Sequence, residues 1–416
     1  MPDSASAPHT SDLQSRLYAD HAATSFPKAP GVIEAMTDYL ARVGASPGRG
    51  SYRESLEGGE LLARCRRILA QLIRAEAPEQ IVFGLNCSDV LNLAIKGAVR
   101  PGDHVVTSRM EHNSILRPLH ALSLEGIAVT HVEADPRTGL FTAADVIAAI
   151  RPETKLIALQ HASNVTGAIQ PIAEIGRAAR ERDILFLVDA AQSLGHLPID
   201  ATALKIDLLA FPGHKGLLGP LGTAGLYVRR GIEPRLRPLK EGGTGSASEE
   251  VAHPTFMPDR YECGSQNAVG IAGLAAAGEW VLKHGVDALW KHDQALSAAF
   301  LDGLRKRFGV REPGRPAGGV TLYGPVDPAQ RIAVFALRID GYEPAELSAL
   351  LESEFSILTR SGITCAPMAH ATLGTLATGG CLRISFGPFA APADVERCVD
   401  ALAELSAVQG ARSAVS

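Results

Sequence analysis

The segment AFPGHKGLLGP, residues 210–220, runs an apolar stretch into a Pro-Gly turn and sets His214 and Lys215 side by side before further glycines. A lysine delivered by a tight turn at a strand end has the chemistry of a Schiff-base amine, able to hold a carbonyl cofactor and release it. Pyridoxal phosphate would need such a lysine, a carboxylate for its pyridine nitrogen, a flat group over its ring and donors for its phosphate. Residues of all four kinds are present. Asp189 ends the apolar run DILFLVDAA, where a carboxylate is costly without a cation such as a protonated pyridinium. His112 follows another apolar run and can stack on a ring. Ser88 and the amides around Cys87 open the helical stretch DVLNLAIKGAV, whose N-terminus suits a phosphate. Each also has a structural reading: Lys215 as a solvated surface charge, Asp189 or Ser88 as a helix cap, His112 as a core histidine. Their occurrence in order at successive strand ends favours the cofactor.

The elements that must position these residues are legible as alternation. QIVFGL, DHVVTS, GIAVTHVEA, KLIALQHAS, DILFLVDAA and IDLLAF have strand length and are mostly apolar, as strands covered on both faces are. Helical stretches such as TAADVIAAI and PIAEIGRAARER separate them. The fold class expected is α/β, with a mainly parallel sheet and helices on both faces. In such sheets functional groups collect beyond the carboxyl ends of the strands, which points to Asn86–Asp89, Glu111–Asn113, His161–Asn164, Asp189–Gln192 and His214 with Lys215 along one rim. Residues 240–268 turn rich in Gly, Ser, Pro and charge, the composition of a long functional loop. A helix-rich stretch then leads to a second α/β pattern. The expected organisation is a disordered tail over 1–17, a large domain over 18–285 whose N-terminal segment packs on the small one, and a smaller C-terminal domain over 286–416.

Among the 416 residues, 46% are hydrophobic and 20% charged, which excludes a disordered chain. A net charge of −5 without a basic block argues against nucleic acid and anionic membranes as partners. The polar opening MPDSASAPHTSD lacks the pattern of a signal peptide, and no apolar run is long enough to span a bilayer, so a cytoplasmic protein is expected. The six cysteines show no zinc-ligand spacing, so no metal is expected and they are read as free thiols.

YADHAATSFPKAP, MEHNSILRPL, HASNVTG, VDAAQSLGHLPID, FPGHKGLLGP, YECGSQN and TRSGITCAP resemble, in order, the signature segments of class V (NifS-like) pyridoxal-phosphate enzymes, and of the cysteine desulfurases in particular. The resemblance spans about residues 18 to 390. It implies a PLP-dependent transferase of fold type I, with Lys215 as the Schiff-base lysine, Asp189 as the pyridinium partner, Gln192 on the ring hydroxyl and His112 stacked on the ring. Ser88 and His214 would hold the phosphate, Cys87 lying beside them, and Ser265 would reach it from a second subunit, which implies a homodimer with shared active sites. Asn164 and Arg383 would hold the substrate carboxylate, with Arg360 nearby. Cys365, five residues after Arg360, has a spacing similar to the SufS-like branch. There it would take the sulfur of L-cysteine as a persulfide, release L-alanine and serve a sulfur-acceptor protein. A selenocysteine lyase, another carbon–sulfur lyase, a class V aminotransferase and a non-catalytic PLP-binding regulator stay open. The chain departs from the SufS-like pattern at Cys87 and Ser88, where two threonines are common, and at Pro212, where a serine precedes the Gly-His-Lys triplet. Cys381 is read as structural.

Overall fold

The computed structural model describes residues 16–48 and 50–415, so most of the tail expected over 1–17 lies outside the described residues. The chain begins with β1 (Leu17–Tyr18), α1 (Val32–Asp38), α2 (Arg53–Leu72), β2 (Ile81–Gly84), α3 (Cys87–Ala98), β3 (His104–Ser108), α4 (Asn113–Ser123) and β4 (Ala128–Val132). It continues through α5 (Ala143–Ala148), β5 (Thr154–Gln160), α6 (Ile172–Glu181), β6 (Leu185–Asp189), β7 (Leu208–Pro212), β8 (Ala224–Val228) and α7 (Ala268–His284). Then follow α8 (Val286–Phe308), β9 (Val320–Tyr323), β10 (Val334–Ile339), α9 (Pro344–Phe355), β11 (Ile357–Leu358), β12 (Arg360–Gly362), α10 (Pro367–Thr372), β13 (Cys381–Ser385) and α11 (Pro392–Val415).

Strands β2 to β8 form a seven-stranded sheet in the order β2-β8-β7-β6-β5-β3-β4. Consecutive side chains of a strand point to opposite faces, and here both faces are buried. Val105, Leu156, Leu187 and Leu208 pack with Leu91 and Ile95 of α3 and Ile115 of α4. Their neighbours Val106, Ile157, Phe186 and Leu209 pack with Leu69 of α2, Ile175 of α6 and Leu274 of α7. This two-sided cover is why the strands read as continuous apolar runs. The β8 strand, AGLYV, was not among the expected strands; it lies antiparallel to both β2 and β7. Two reversals cancel, so β2 runs in the direction of β3 to β7 and its carboxyl end joins theirs on one rim.

A second sheet, β12-β13-β10-β9, is antiparallel and is covered by α8, α9 and α11 through Phe300, Leu351 and Leu402. The helix-rich stretch divides at Gly285, whose φ of 81° ends α7 and starts α8. The β1 strand pairs in parallel with β11 and sends Leu17 and Ala19 into the core of the second sheet. No helix among the described residues is long and apolar enough to cross a membrane.

The turns after β6 and β7 touch backbone to backbone. A Cβ on Gly195, whose φ is +92°, would lie 2.2 Å from the Gly216 carbonyl oxygen, and one on Gly216 would lie 2.3 Å from that of Leu194. Only glycine fits at this crossing, and the crossing fixes Lys215 one residue away. Gly195→Ala is expected to cost about 3 kcal/mol through strain and overpacking. Gly231→Ala, at φ +89° with nothing within 4 Å, should lose only about 1 kcal/mol. Urea unfolding of both variants checks this, and equal losses would contradict the role given to the close approach.

Candidate active site

At the rim a cavity of about 190 Å³ is lined by Cys87, Ser88, His112, Asn164, Asp189, Gln192, His214 and Lys215, all expected from the sequence, and by Ser114, which was not. Asp189 ends β6, and Lys215 follows the neighbouring parallel strand β7. Burial raises the pKa of Asp189, opposed by the Ala191 amide and by the charge of Lys215. Burial likewise lowers that of Lys215, opposed first by Asp189. The Asp189 Oδ1 accepts the Ala191 N–H at 2.9 Å and faces the Cys87 sulfur at 3.8 Å. Burial and that carboxylate hold the Cys87 thiol well above its ordinary pKa, so it stays a neutral donor.

His112 is the N-cap of α4. Its Nδ1 accepts the Ser114 N–H at 3.0 Å, and a backbone amide can only donate, which assigns the ring proton to Nε2. Burial, then the charges of Lys215 and Arg383, lowers its pKa to about 4, so the ring is neutral. The Ser114 hydroxyl lies 2.9 Å from the same Nδ1 and 2.6 Å from the Ser88 hydroxyl. At the start of α3 the Asn86 side chain caps the Asp89 amide at 2.9 Å, which leaves the first amides, those of Cys87 and Ser88, free to receive an anion. His214 Nδ1 lies 3.0 Å from the Thr24 hydroxyl. Lys28 donates to Thr24, Ser25 and the His214 carbonyl, and burial lowers its pKa to about 8. These residues fit pyridoxal phosphate: a buried carboxylate in want of a cation, an enclosed amine, a neutral ring, and amides with two hydroxyls for a phosphate.

A second group adjoins Asn164. Arg383 is 4% exposed; its Nη2 donates to Asp20 Oδ1 at 2.7 Å and its Nη1 to the Asn164 carbonyl at 3.1 Å, while its Nε and Asn164 Oδ1 are buried without a partner. Arg360 reaches the other oxygen of Asp20 at 3.3 Å. The Gln192 amide donates to the Ala22 carbonyl at 2.8 Å. Cys365 is exposed; it does not line the cavity, but its loop is tied to the Asn113 N–H at 2.8 Å through the Cys365 carbonyl and to Asn164 at 2.7 Å through that of Thr364. Cys381, read as structural, is buried, and burial pushes its thiol up to about 12. Ser265 does not join this group; it lines another cavity of about 150 Å³ with Gly222, Cys263 and Asn267. Sequence reasoning missed Asp20, Lys28 and Ser114. The first two sit in YADHAATSFPKAP, whose polar residues between small apolar ones were the available signal.

Glu111 was read only as a rim position, yet it is fully buried. Its two oxygens meet the Ser108 hydroxyl at 2.5 Å and the Gln160 amide at 2.8 Å. Burial, reinforced by Asp189, raises its pKa to about 8 from a usual 4.5. Between those values the folded protein keeps a proton that the unfolded chain gives up. The native state is therefore favoured most below pH 4.5, loses stability as pH rises, and has lost all of this contribution above pH 8. Glu111→Gln keeps the shape without the charge, so its stability relative to the parent should grow by up to a few kcal/mol from pH 5 to pH 8. Urea unfolding of the cofactor-free proteins across that range measures it, and parallel curves would refute a buried protonated Glu111.

The family model described as Aminotransferase class-V matches residues 17–398. A probable cysteine desulfurase of Methanothermobacter thermautotrophicus is 32% identical over 397 residues, covering 95% of this chain and 96% of that one. The cysteine desulfurase IscS of Photorhabdus laumondii is 37% identical over 294 residues, covering 69% of this chain and 71% of that one. An apo cysteine desulfurase structure from Thermococcus onnurineus superposes with a TM-score of 0.86 at 32% identity, covering 97% of this chain and 99% of that one.

Proposed function

Since the chain belongs to the class-V aminotransferase family, we propose that it is a cysteine desulfurase of the SufS-like branch. Its rim cavity holds pyridoxal phosphate, and it converts L-cysteine to L-alanine with the sulfur left on Cys365 as a persulfide. The observation that supports this most is the exposed Cys365, on a loop hydrogen-bonded to Asn113 and Asn164 at the edge of the cavity that encloses Lys215 and Asp189. An aminotransferase has no use for a thiol there.

Pyridoxal phosphate, when bound, supplies an electron sink that makes the Cα–H of an amino acid acidic enough to break at neutral pH. Lys215 would hold the cofactor, and its amine, whose pKa burial lowers and Asp189 partly restores, would carry the proton to and from Cα. Asp189 would be the carboxylate that pairs with the cofactor's pyridine nitrogen and favours its protonated form. Gln192 would hold the ring hydroxyl and His112 would cover the ring, its Nε2–H free to hydrogen-bond the substrate sulfur. The α3 amides, Cys87, Ser88 and His214 form the phosphate seat. Asn164 and Arg383 hold the substrate carboxylate, for which a guanidinium fork is suited, with Arg360 close by. The Cys365 thiolate attacks the substrate sulfur: the S–S bond forms, the Cβ–S bond breaks, and its electron pair stays with carbon, which takes up a proton to give alanine.

The large domain takes residues 18–285 and the small one 286–416, dividing at Gly285. Two copies form a homodimer in which Ser265 serves the other copy's phosphate; its place in a cavity apart from its own Lys215 supports that reading. A sulfur-acceptor protein takes the persulfide sulfur, and the six unpaired thiols suit a reducing cytoplasm.

A single turnover with L-cysteine and no reductant, followed by intact mass, should add one sulfur atom to the parent and none to Cys365→Ala. Alanine formation by the variant should fall about 100-fold, or ~2.7 kcal/mol of transition-state stabilisation. Equal turnover without added mass would move the assignment to a lyase or an aminotransferase.

A further inference from the structure

The loop that carries Cys365 is held in an unusual backbone conformation. Thr364 and Cys365, in succession, have φ of 45° and 58°, the left-handed region that side-chained residues avoid and a β-branched threonine avoids most. Such a pair persists only when its surroundings over-determine it. Two ties from the large sheet do so. The Asn164 amide donates to the Thr364 carbonyl at 2.7 Å, and the Asn113 backbone N–H donates to the Cys365 carbonyl at 2.8 Å. From the loop's own side, buried His370 approaches the Thr364 hydroxyl at 3.4 Å and is fixed by Thr375 at 2.8 Å.

We infer that Asn164 and the first backbone amide of α4 are positioning groups for the nucleophile, clamping two successive carbonyls so that the Cys365 thiol is presented to the cavity. Asn113 is the first helical residue after the N-cap His112, so its N–H has no partner within the helix. Here that spare donor is spent on the nucleophile loop. The residue that covers the ring and the amide that fixes the thiol are therefore adjacent in sequence, and a rotation of the start of α4 would move both. Asn164 donates to the loop with one amide hydrogen and retains a second. A substrate carboxylate can take that one without releasing the clamp. The inference rests on the reading of Cys365 as the sulfur acceptor.

The fold offers a clean way to cut each tie. Proline suits the first helical position, and His112 already has the extended backbone, φ −69° and ψ 153°, that precedes proline comfortably. Asn113→Pro should therefore replace one hydrogen bond by a clash of the proline ring with the Cys365 carbonyl, displacing the loop with α4 intact, while Asn113→Ala keeps the N–H and serves as the control. Asn164→Ala removes the other tie. In substrate-free holoenzyme, amide exchange over residues 361–368 should be about tenfold faster in Asn113→Pro and in Asn164→Ala than in the parent or Asn113→Ala. For Asn113→Pro, kcat for alanine release should fall about tenfold with little change in KM, since misplacing a reacting group costs the chemical step rather than binding. Unchanged exchange in both variants, or faster exchange with an unchanged kcat, would overturn the clamp. Because exchange is read without substrate, a failure of Cys365 as sulfur acceptor would show separately, as full activity in Cys365→Ala.

Discussion

A carboxylate and an amine enclosed together at the ends of adjacent parallel strands are the constraint from which the site follows. Burial alone would drive Asp189 toward its neutral acid and Lys215 toward its neutral amine, and each partly restrains the other's shift. Neither arrangement is one a chain adopts for stability, since buried charges need partners and geometry to be tolerated. The sheet accepts the cost because its strands lock the two positions: Asp189 ends β6, Lys215 follows β7, and glycine contact between the following turns leaves them no freedom to splay. A ligand with a cationic nitrogen and a carbonyl carbon relieves both groups at once.

The second constraint is that the site straddles two sheets. The proposed substrate end draws on Asn164 from the turn after β5 of the large sheet, on Arg383 and Arg360 from the small one, and on Asp20 from the segment that follows β1. Asp20 binds both arginines, and it arrives there because β1 pairs with β11 and Ser385 takes up the next turn through its backbone and hydroxyl. Lys215 and Asp189 are thus set by one sheet, whereas the placing of Cys365 and Arg383 beside them depends on a few named hydrogen bonds between the two sheets' segments.

Much of this was legible in the sequence. The buried strands announced themselves as apolar runs because both faces of the sheet are covered, and the rim residues could be read off as the polar positions that follow. Strand order was not legible: AGLYV looks like any buried run, and its antiparallel insertion between β2 and β7 is decided by long-range packing. Lys215 and Asp189, which the structure brings to one cavity, could be singled out by residue type and context, while the parts proposed for Gln192, Asn164 and Cys365 came through family resemblance. What escaped depends on contacts between distant residues. Asp20 gains meaning only beside Arg383, and Ser114 only beside Ser88. The backbone amide of Asn113 carries no signal in a one-letter code, and Glu111 could be placed on the rim but its burial could not be foreseen.

The account turns on which lysine holds the cofactor. Two amines of depressed pKa stand near the rim, Lys215 in the cavity and Lys28 bound to the His214 carbonyl. Loading the protein with pyridoxal phosphate, reducing it with borohydride and mapping the labelled peptide by mass spectrometry separates them. The label should fall on Lys215 alone, and Lys215→Ala should carry none. A label on Lys28, or stable labelling of Lys215→Ala, would contradict the central claim.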